Sequence, residues 1–397
     1  MIYLDYSSTS PIDEEVFQAM LPFLTAEYGN PSSKYYPLAT HARDAVEEAR
    51  ERVAALINAK PEEIVFTGSG TESTNMIIKG VADYLKHYEL KGNHLITSKA
   101  EHKATLNTCK FLNGEIYSNR DATFSFSREN RRVDRGYEVT FLEVNEYGQV
   151  EPELLRESIR KATTLVSIIW GNNEVGTLND VHALGTVCRE RKVAFHSDAT
   201  QVLGKVRIDV EDTLVDFLTM AAHKLYGPKG IGAAYIRGDD YGLPPLTSLI
   251  HGGEQEDGLR GGTLAVHNIV GFGKAAEIAL RDLEKREAHL RTLEGLVITG
   301  LSKFPQIRFL GKRDHKVPGI ISFIVDSPNF NNERFLRRVS DRVALSTGSA
   351  CALGKPSHVL QAIGMGEYTS RVLRLSLGKD TTEEQIHQFL AVMGEEL

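Results

Sequence analysis

Lys224 closes an apolar run, Phe217-Leu218-Thr219-Met220-Ala221-Ala222-His223-Lys224, and the chain then turns through Leu225-Tyr226-Gly227-Pro228-Lys229-Gly230. Twenty-six residues before Lys224, a second apolar run ends in His196-Ser197-Asp198-Ala199-Thr200-Gln201. An amine and a carboxylate at the ends of two such runs suit a ligand that carries an aldehyde and a basic aromatic nitrogen. The amine would hold the aldehyde covalently, and the carboxylate would keep the ring nitrogen protonated so that the ring can accept electrons. Pyridoxal phosphate (PLP) makes those demands. A lysine beside Gly-Pro-Lys-Gly could equally be a solvated turn residue, a description that suits Lys229 better than Lys224.

A second reactive group stands near the C-terminus, in Ser346-Thr347-Gly348-Ser349-Ala350-Cys351-Ala352-Leu353-Gly354-Lys355-Pro356-Ser357. Small residues on both sides of Cys351 predict an accessible sulfur, whereas a structural cysteine more often has large apolar neighbours. Cys109 and Cys188 lie in helical patterns and are expected to pack. Further on, Val372-Leu373-Arg374-Leu375-Ser376 sets one arginine in an alternating strand. Arg374 could make an ion pair at a strand edge, or it could grip a carboxylate with its planar fork.

These residues need a rigid frame. Short apolar runs at Ile64–Thr67, Leu95–Ser98, Val139–Leu142, Leu165–Trp170, Val193–Asp198, Phe217–Ala221 and Ile231–Ile236 alternate with helical patterns such as Thr71–Tyr88 and Val181–Lys192. That alternation predicts an α/β fold with a mainly parallel central sheet, and ligands collect beyond the carboxyl ends of such strands. From Asn268 the pattern changes to a charged helical stretch, then short strands near Arg308, Ile320–Val325 and Val372–Ser376 with helices between. This predicts a smaller α+β domain: residues 16–266 form the large domain, and 1–15 with 267–397 form the small one. The stretch Asp121–Glu138 has no apolar period and balances four arginines with four acids, which predicts a solvated excursion.

Together the motifs resemble the cysteine desulfurases of the NifS/IscS type, within the fold-type I PLP enzymes. The resemblance covers nearly the whole chain, from Tyr3-Leu4-Asp5-Tyr6-Ser7 and Gly29-Asn30-Pro31-Ser32-Ser33 through Phe66-Thr67-Gly68-Ser69-Gly70-Thr71-Glu72-Ser73 and Glu101-His102-Lys103. It continues in Asn172-Asn173-Glu174-Val175-Gly176, the Asp198 and Lys224 segments, His251-Gly252-Gly253, Arg260-Gly261-Gly262-Thr263 and the Cys351 loop. Each motif is weak alone; their order and spacing are specific.

The resemblance implies that L-cysteine becomes L-alanine while its sulfur passes to Cys351 as a persulfide. It implies that Gly70 and Thr71, at a turn opening a helix, hold the PLP phosphate, and such a helix end offers backbone N–H groups and a positive dipole. His223 adds a phosphate contact, and Thr263 adds one from a neighbouring subunit, which implies a homodimer. His102 stacks on the ring and is a candidate proton carrier. Asn173 and Gln201 bond the phenolic oxygen, Asp198 pairs with the ring nitrogen and Lys224 holds the aldehyde. Arg374 and Asn30 are the expected substrate contacts, with Arg374 on the carboxylate. Lys224, once displaced by the substrate amine, is the expected base at Cα.

The chain departs from these relatives at three places. Ala221 replaces a serine that commonly touches the phosphate, Tyr35 stands where a histidine is frequent, and four residues separate Cys351 from Pro356 where housekeeping members have a longer loop. A selenocysteine lyase or an aminotransferase of the same fold, and a non-catalytic scaffold, are the competing readings. The cysteine in its small-residue loop speaks against the aminotransferase. Iron–sulfur clusters, tRNA thiolation and DNA phosphorothioation are the candidate sulfur destinations, with specialised DNA modification as the second choice.

Composition sets the outer limits. With 25% charged residues and 41% hydrophobic ones, the 397-residue chain reads as an ordinary globular protein. A net charge of −7 disfavours direct nucleic-acid binding. Three cysteines provide no disulfide framework and fit a reducing cytoplasm, no His/Cys/acid cluster has metal-ligand spacing, and no run suits a membrane span. A cytoplasmic enzyme with an acceptor protein for its sulfur is the expectation.

Overall fold

The computed structural model describes residues 1–116, 133–348 and 356–397. Cys351 and the 121–132 part of the expected excursion lie outside the described residues.

Among the described residues the twelve strands are β1 (Ile2–Tyr3), β2 (Ile64–Thr67), β3 (His94–Ser98), β4 (Glu138–Leu142), β5 (Thr163–Ser167), β6 (Ala194–Asp198), β7 (Phe217–Ala221), β8 (Gly232–Ile236), β9 (Ile307–Leu310), β10 (Ile320–Val325), β11 (Val343–Ala344) and β12 (Val372–Ser376). Seven of them form one sheet in the order β2-β8-β7-β6-β5-β3-β4. All its pairs are parallel except those made by β8, which runs antiparallel to β2 and β7. This is the mainly parallel α/β architecture expected from the alternating pattern. Strands such as β2, β5 and β7 are buried on both faces, which is why they read as continuous apolar runs.

The middle of the sheet also holds polar side chains that bond to one another. Ser167 meets His196 Nδ1 at 2.8 Å, His196 Nε2 meets Thr219 at 3.0 Å, and Thr219 meets Thr74 at 3.0 Å. Burial pushes His196 down to about 4, so it is neutral and each ring nitrogen has a hydroxyl partner. These bonds cross from β5 to β6 to β7 and on to the helix Gly70–His87, which fixes the strand ends relative to the helix start.

A second sheet, β12-β10-β9, is antiparallel, and β1 pairs in parallel with β11. Its core gathers Leu4, Leu290, Leu293, Phe323, Phe335, Leu373, Leu375 and Phe389. Ile2 and Leu4, near the chain's start, thus pack in this core. The helix Val266–Arg281 instead packs on Glu14–Thr25 and Pro37–Leu56 and contributes Ile269, Phe272 and Ala276 to the core beneath the large sheet.

Candidate functional site

The carboxyl ends of β6 and β7 and the start of the helix Gly70–His87 open into a cavity of about 260 Å³. Its wall includes Gly70, Thr71, His102, Asn173, Asp198, Gln201, His223, Lys224 and Arg374, nine of the residues that the sequence singles out. Two others are elsewhere. Asn30 is exposed, with its side chain accepting from the Ser32 amide at 3.0 Å, and Thr263 is exposed; neither lines this chain's cavity.

The anion end is built from backbone. Ser69 caps the helix by accepting from the Glu72 amide at 3.1 Å, and the Glu72 carboxylate returns to the Gly68 amide at 2.9 Å. The Gly70 and Thr71 amides stay at the open end of an 18-residue helix. The approach is close: a Cβ on Gly232 would come within 2.5 Å of the Ser69 carbonyl carbon, so only glycine lets β8 pass under this turn. A Cβ on Gly70 would meet Ala221 Cβ and Thr200 Oγ1, both at 3.3 Å. The Thr200 hydroxyl thus stands beside Ala221.

The lysine turn is fastened by the N-terminal segment. Ser10 Oγ donates to the His223 carbonyl at 2.9 Å and accepts from the Tyr226 amide at 2.9 Å, while the Ser10 amide donates to the same His223 carbonyl. Burial, with Lys224 and Lys229 adding, pushes His223 down to about 4. Asp198 is buried, and its carboxylate accepts from the Thr200 amide at 3.0 Å.

His102 begins the helix Lys103–Leu112, with Nδ1 accepting from the Ala104 amide at 3.2 Å. Burial lowers it to about 4, against the opposing pull of Asp198, so the ring is neutral near pH 7. Its remaining proton is assigned to Nε2 by that hydrogen bond. Beneath it Glu101 is fully buried: Oε1 accepts from Ser98 at 2.7 Å and from the Ile169 amide at 3.0 Å, and Oε2 has no partner among the described residues. Burial, with Asp198 adding, raises Glu101 to about 8.

Arg374 stands in two settings at once. It lines the cavity, and it forms an ion pair, Nη2 to Asp5 Oδ1 at 2.7 Å. Nη2 also donates to Ser8 Oγ at 3.0 Å, and Nη1 donates to the carbonyls of Asn173 at 2.6 Å and Gly348 at 3.3 Å. Only Nε, which is buried, has no partner among the described residues. A carboxylate gripped by this fork must therefore displace a present partner, and the Gly348 carbonyl is the longest contact. Asp5 sets the guanidinium plane, and removing its charge leaves a buried cation uncompensated. Asp5→Asn is expected to lower the melting temperature by several degrees and to raise KM for a carboxylate substrate held by Arg374 about tenfold, with a smaller change in kcat, since a charge-assisted hydrogen bond contributes about 1.5–3 kcal/mol. Thermal unfolding and steady-state kinetics check both parts.

Sequence reading missed Thr200 and Asp5 as site residues and also His358, which lines the cavity and donates from Nε2 to the Glu101 carbonyl at 2.7 Å. Cys109 and Cys188 are buried, and burial pushes both thiols up, in keeping with packing roles.

The residues present fit PLP. The helix start is left open for a phosphate, Asp198 and Lys224 share one wall, and Gln201 Oε1 is buried with no partner among the described residues while its Nε2 donates to the Ser7 carbonyl at 3.0 Å. A polar group entering the cavity would satisfy that amide.

The class-V aminotransferase family pattern matches residues 2–118 and 126–389. A cysteine desulfurase IscS from Neisseria meningitidis is 42% identical over 393 residues, spanning 98% of this chain and 90% of that protein. Among solved structures, a NifS-like protein superposes with a TM-score of 0.86 at 32% identity, covering 100% of this chain and 98% of that one. SspA in complex with cysteine gives a TM-score of 0.77 at 35% identity, covering 95% and 99%.

Proposed function

Since the chain belongs to the class-V aminotransferase family and is a PLP-dependent cysteine desulfurase, we propose that its own residues divide the reaction as follows. The observation that carries this division is one cavity whose wall holds Asp198, Lys224, His102 and Arg374 together.

Gly70, Thr71, His223 and the Thr200 hydroxyl would hold the phosphate, Asp198 would keep the ring nitrogen protonated, and His102 would serve the ring face. Gln201 and Asn173 serve the phenolic oxygen. When bound, PLP draws electrons from the substrate Cα, which makes the Cβ–S bond labile. Lys224 would tether the cofactor through its amine, and that amine is also the base placed for the Cα proton. Arg374 receives the substrate carboxylate. Cys351, as thiolate, takes the sulfur and leaves alanine. Thr263, exposed on its own chain, serves the site of a second copy in a homodimer, and the exposed Asn30 is offered to substrate at the same boundary.

A cytoplasmic setting suits a protein whose chemistry needs a reduced thiol. No described helix is long and apolar enough to cross a membrane. The sulfur acceptor is a partner protein, in iron–sulfur assembly on the strength of the IscS-named relatives. The four-residue spacing of Cys351 and Pro356 favours a specialised route such as DNA phosphorothioation as the second reading.

The test feeds ¹³C-labelled L-cysteine to the dimeric, PLP-loaded protein. One alanine per sulfur released is expected, with a mass gain of about 32 Da on the Cys351 peptide before a reductant is added. Pyruvate in place of alanine, or no gain on that peptide, would contradict the assignment.

A further inference from the structure

The helix Gly70–His87 carries a carboxylate in the same first turn whose amides are assigned to the phosphate. Glu72 is the third residue of that helix. The Ser73 amide donates to the Ser69 carbonyl at 3.0 Å and the Glu72 amide to Ser69 Oγ at 3.1 Å. Gly70 and Thr71 therefore carry the two amides of the turn that have no acceptor among the described residues. The Glu72 side chain folds back over the turn: Oε2 accepts from the Gly68 amide at 2.9 Å, and a Cβ on Gly68 would come within 2.7 Å of the same oxygen. An acid here suits the helix, because it complements the dipole. It does not suit a phosphate, which needs the same positive end.

Arg260 removes this conflict. Its Nε donates to Glu72 Oε1 at 2.8 Å, with the two side chains only 22% and 18% exposed. Each oxygen of Glu72 is thus engaged, one by a main-chain amide and one by a guanidinium. Neither residue lines the cavity, so the pair sits behind the anion end rather than in it. Main chain holds the arginine in place. Ile250 and Arg260 form an isolated bridge, the Gly261 amide donates to the Ile250 carbonyl at 3.2 Å, and the Gly262 amide donates to Gln255 Oε1 at 3.0 Å. Gly261 has to be glycine for this, since a Cβ there would lie 2.7 Å from Gly252 Cα. Two residues 188 positions apart are therefore joined through a fixed loop, and such a pair loses less to side-chain freedom and solvent than an exposed one.

We propose that Arg260 is a positioning residue for the cofactor phosphate: by neutralising Glu72 it lets one helix start keep its own acid and still receive an anion. The proposal rests on the reading above that Gly70 and Thr71 hold the phosphate. Arg260 acts through Glu72 and needs no contact with the phosphate. Its effect is one of charge. Removing Arg260 alone leaves Glu72 to repel the phosphate, and removing both charges restores the seat.

The experiment titrates the full-length chain, freed of PLP, with inorganic phosphate, PLP and pyridoxal, the form without the phosphate. In Arg260→Gln, Kd for inorganic phosphate and for PLP should rise about tenfold or more, the scale of one uncompensated charge near a protein surface. Pyridoxal should bind as it does to the parent, because it brings no charge to the helix start. Arg260→Lys keeps the charge without the fork and should stay within about threefold of the parent. The decisive variant combines Arg260→Gln with Glu72→Gln, whose amide oxygen still accepts from the Gly68 amide. It should return phosphate affinity to within about threefold of the parent, a non-additivity expected only of directly coupled charges. A double variant as weak as the single one overturns the proposal and marks a structural role, as does a loss of pyridoxal binding in parallel with PLP. Parent-like phosphate affinity in Arg260→Gln overturns it too. Hydrogen exchange on the parent tests the underlying reading separately: phosphate should protect the peptide that contains Gly70 and Thr71. Absence of that protection refutes the seat itself, whereas protection together with unchanged affinity in Arg260→Gln refutes only the role of Arg260.

Discussion

Cys351→Ser is expected to bind PLP and L-cysteine normally and to make almost no alanine. Serine keeps the size and polarity of the side chain, but its hydroxyl is far less acidic than a thiol and is a poor nucleophile toward sulfur. Loss of an essential nucleophile in a hydrolase lowers kcat by about a million-fold, and a reduction of at least 10⁴-fold is the comparable expectation here. Binding should survive, because Gly70, Asp198, Lys224 and Arg374, which are assigned to PLP and to the substrate carboxylate, line the cavity and are untouched by this substitution. Cys109→Ser and Cys188→Ser should behave in the reverse manner. Both thiols are buried and pushed up by that burial, so these variants keep most activity and lose stability, by about 1–3 kcal/mol for a buried polar group short of partners. Alanine release, thermal unfolding and peptide mass after exposure to cysteine separate the two patterns. A persulfide on Cys109 or Cys188 that persists in Cys351→Ser would show that the nucleophile is another residue.

The burial of Cys109 and Cys188 was legible in sequence, because both stand in helical patterns with apolar neighbours. The sheet was legible for a related reason: strands buried on both faces must be short apolar runs, and seven of them fall where the runs lie. The carboxyl-end rule then places Asp198 and Lys224 together without knowledge of the strand order. One run was read too long. The strand predicted over Leu165–Trp170 ends at Ser167, although Ile168 and Trp170 still donate to the His196 and Asp198 carbonyls.

What stayed hidden depends on contacts between distant segments. Asp5 and Arg374 are 369 residues apart, and no local pattern indicates that one neutralises the other. His358 follows a Pro-Ser turn and reads as the first residue of an ordinary helix. Its place in the cavity wall becomes visible only when its Nε2–H is seen to donate to the Glu101 carbonyl, 257 residues earlier. Thr200 is similar, since its position beside Ala221 depends on the packing of Gly70. The helix Val266–Arg281 shows the limit for larger pieces: its charged continuation marks a change of composition, yet its buried face packs on the helices Glu14–Thr25 and Pro37–Leu56.

Lys224→Ala should give a protein that folds, binds PLP only reversibly and is nearly inactive. The main chain of the lysine turn is held by Ser10 through the His223 carbonyl and the Tyr226 amide, and none of those bonds uses the Lys224 side chain. The fold around the site should therefore persist. Two separate functions are lost at once, however. Without the amine there is no covalent tether, so borohydride reduction should fix no PLP to the variant and dialysis should remove its yellow colour. Without a base at Cα, deuterium exchange into unreacted cysteine should stop, and turnover should fall by about 10³-fold or more, near the upper part of the range for general acid–base catalysis because the tether is lost as well. An added small primary amine should restore part of the exchange, because it supplies the missing base but cannot reproduce the placement that the turn gives Lys224. Lys205 provides the internal control. It is a buried lysine pushed down to about 7 by burial, with Lys224 and Arg286 adding, so it is the obvious rival for the aldehyde on acidity alone. It does not line the cavity. Lys205→Met should therefore keep reducible PLP on Lys224. If PLP were instead fixed to Lys205 in the Lys224→Ala protein, the position of the amine in the cavity would not be what selects the tether.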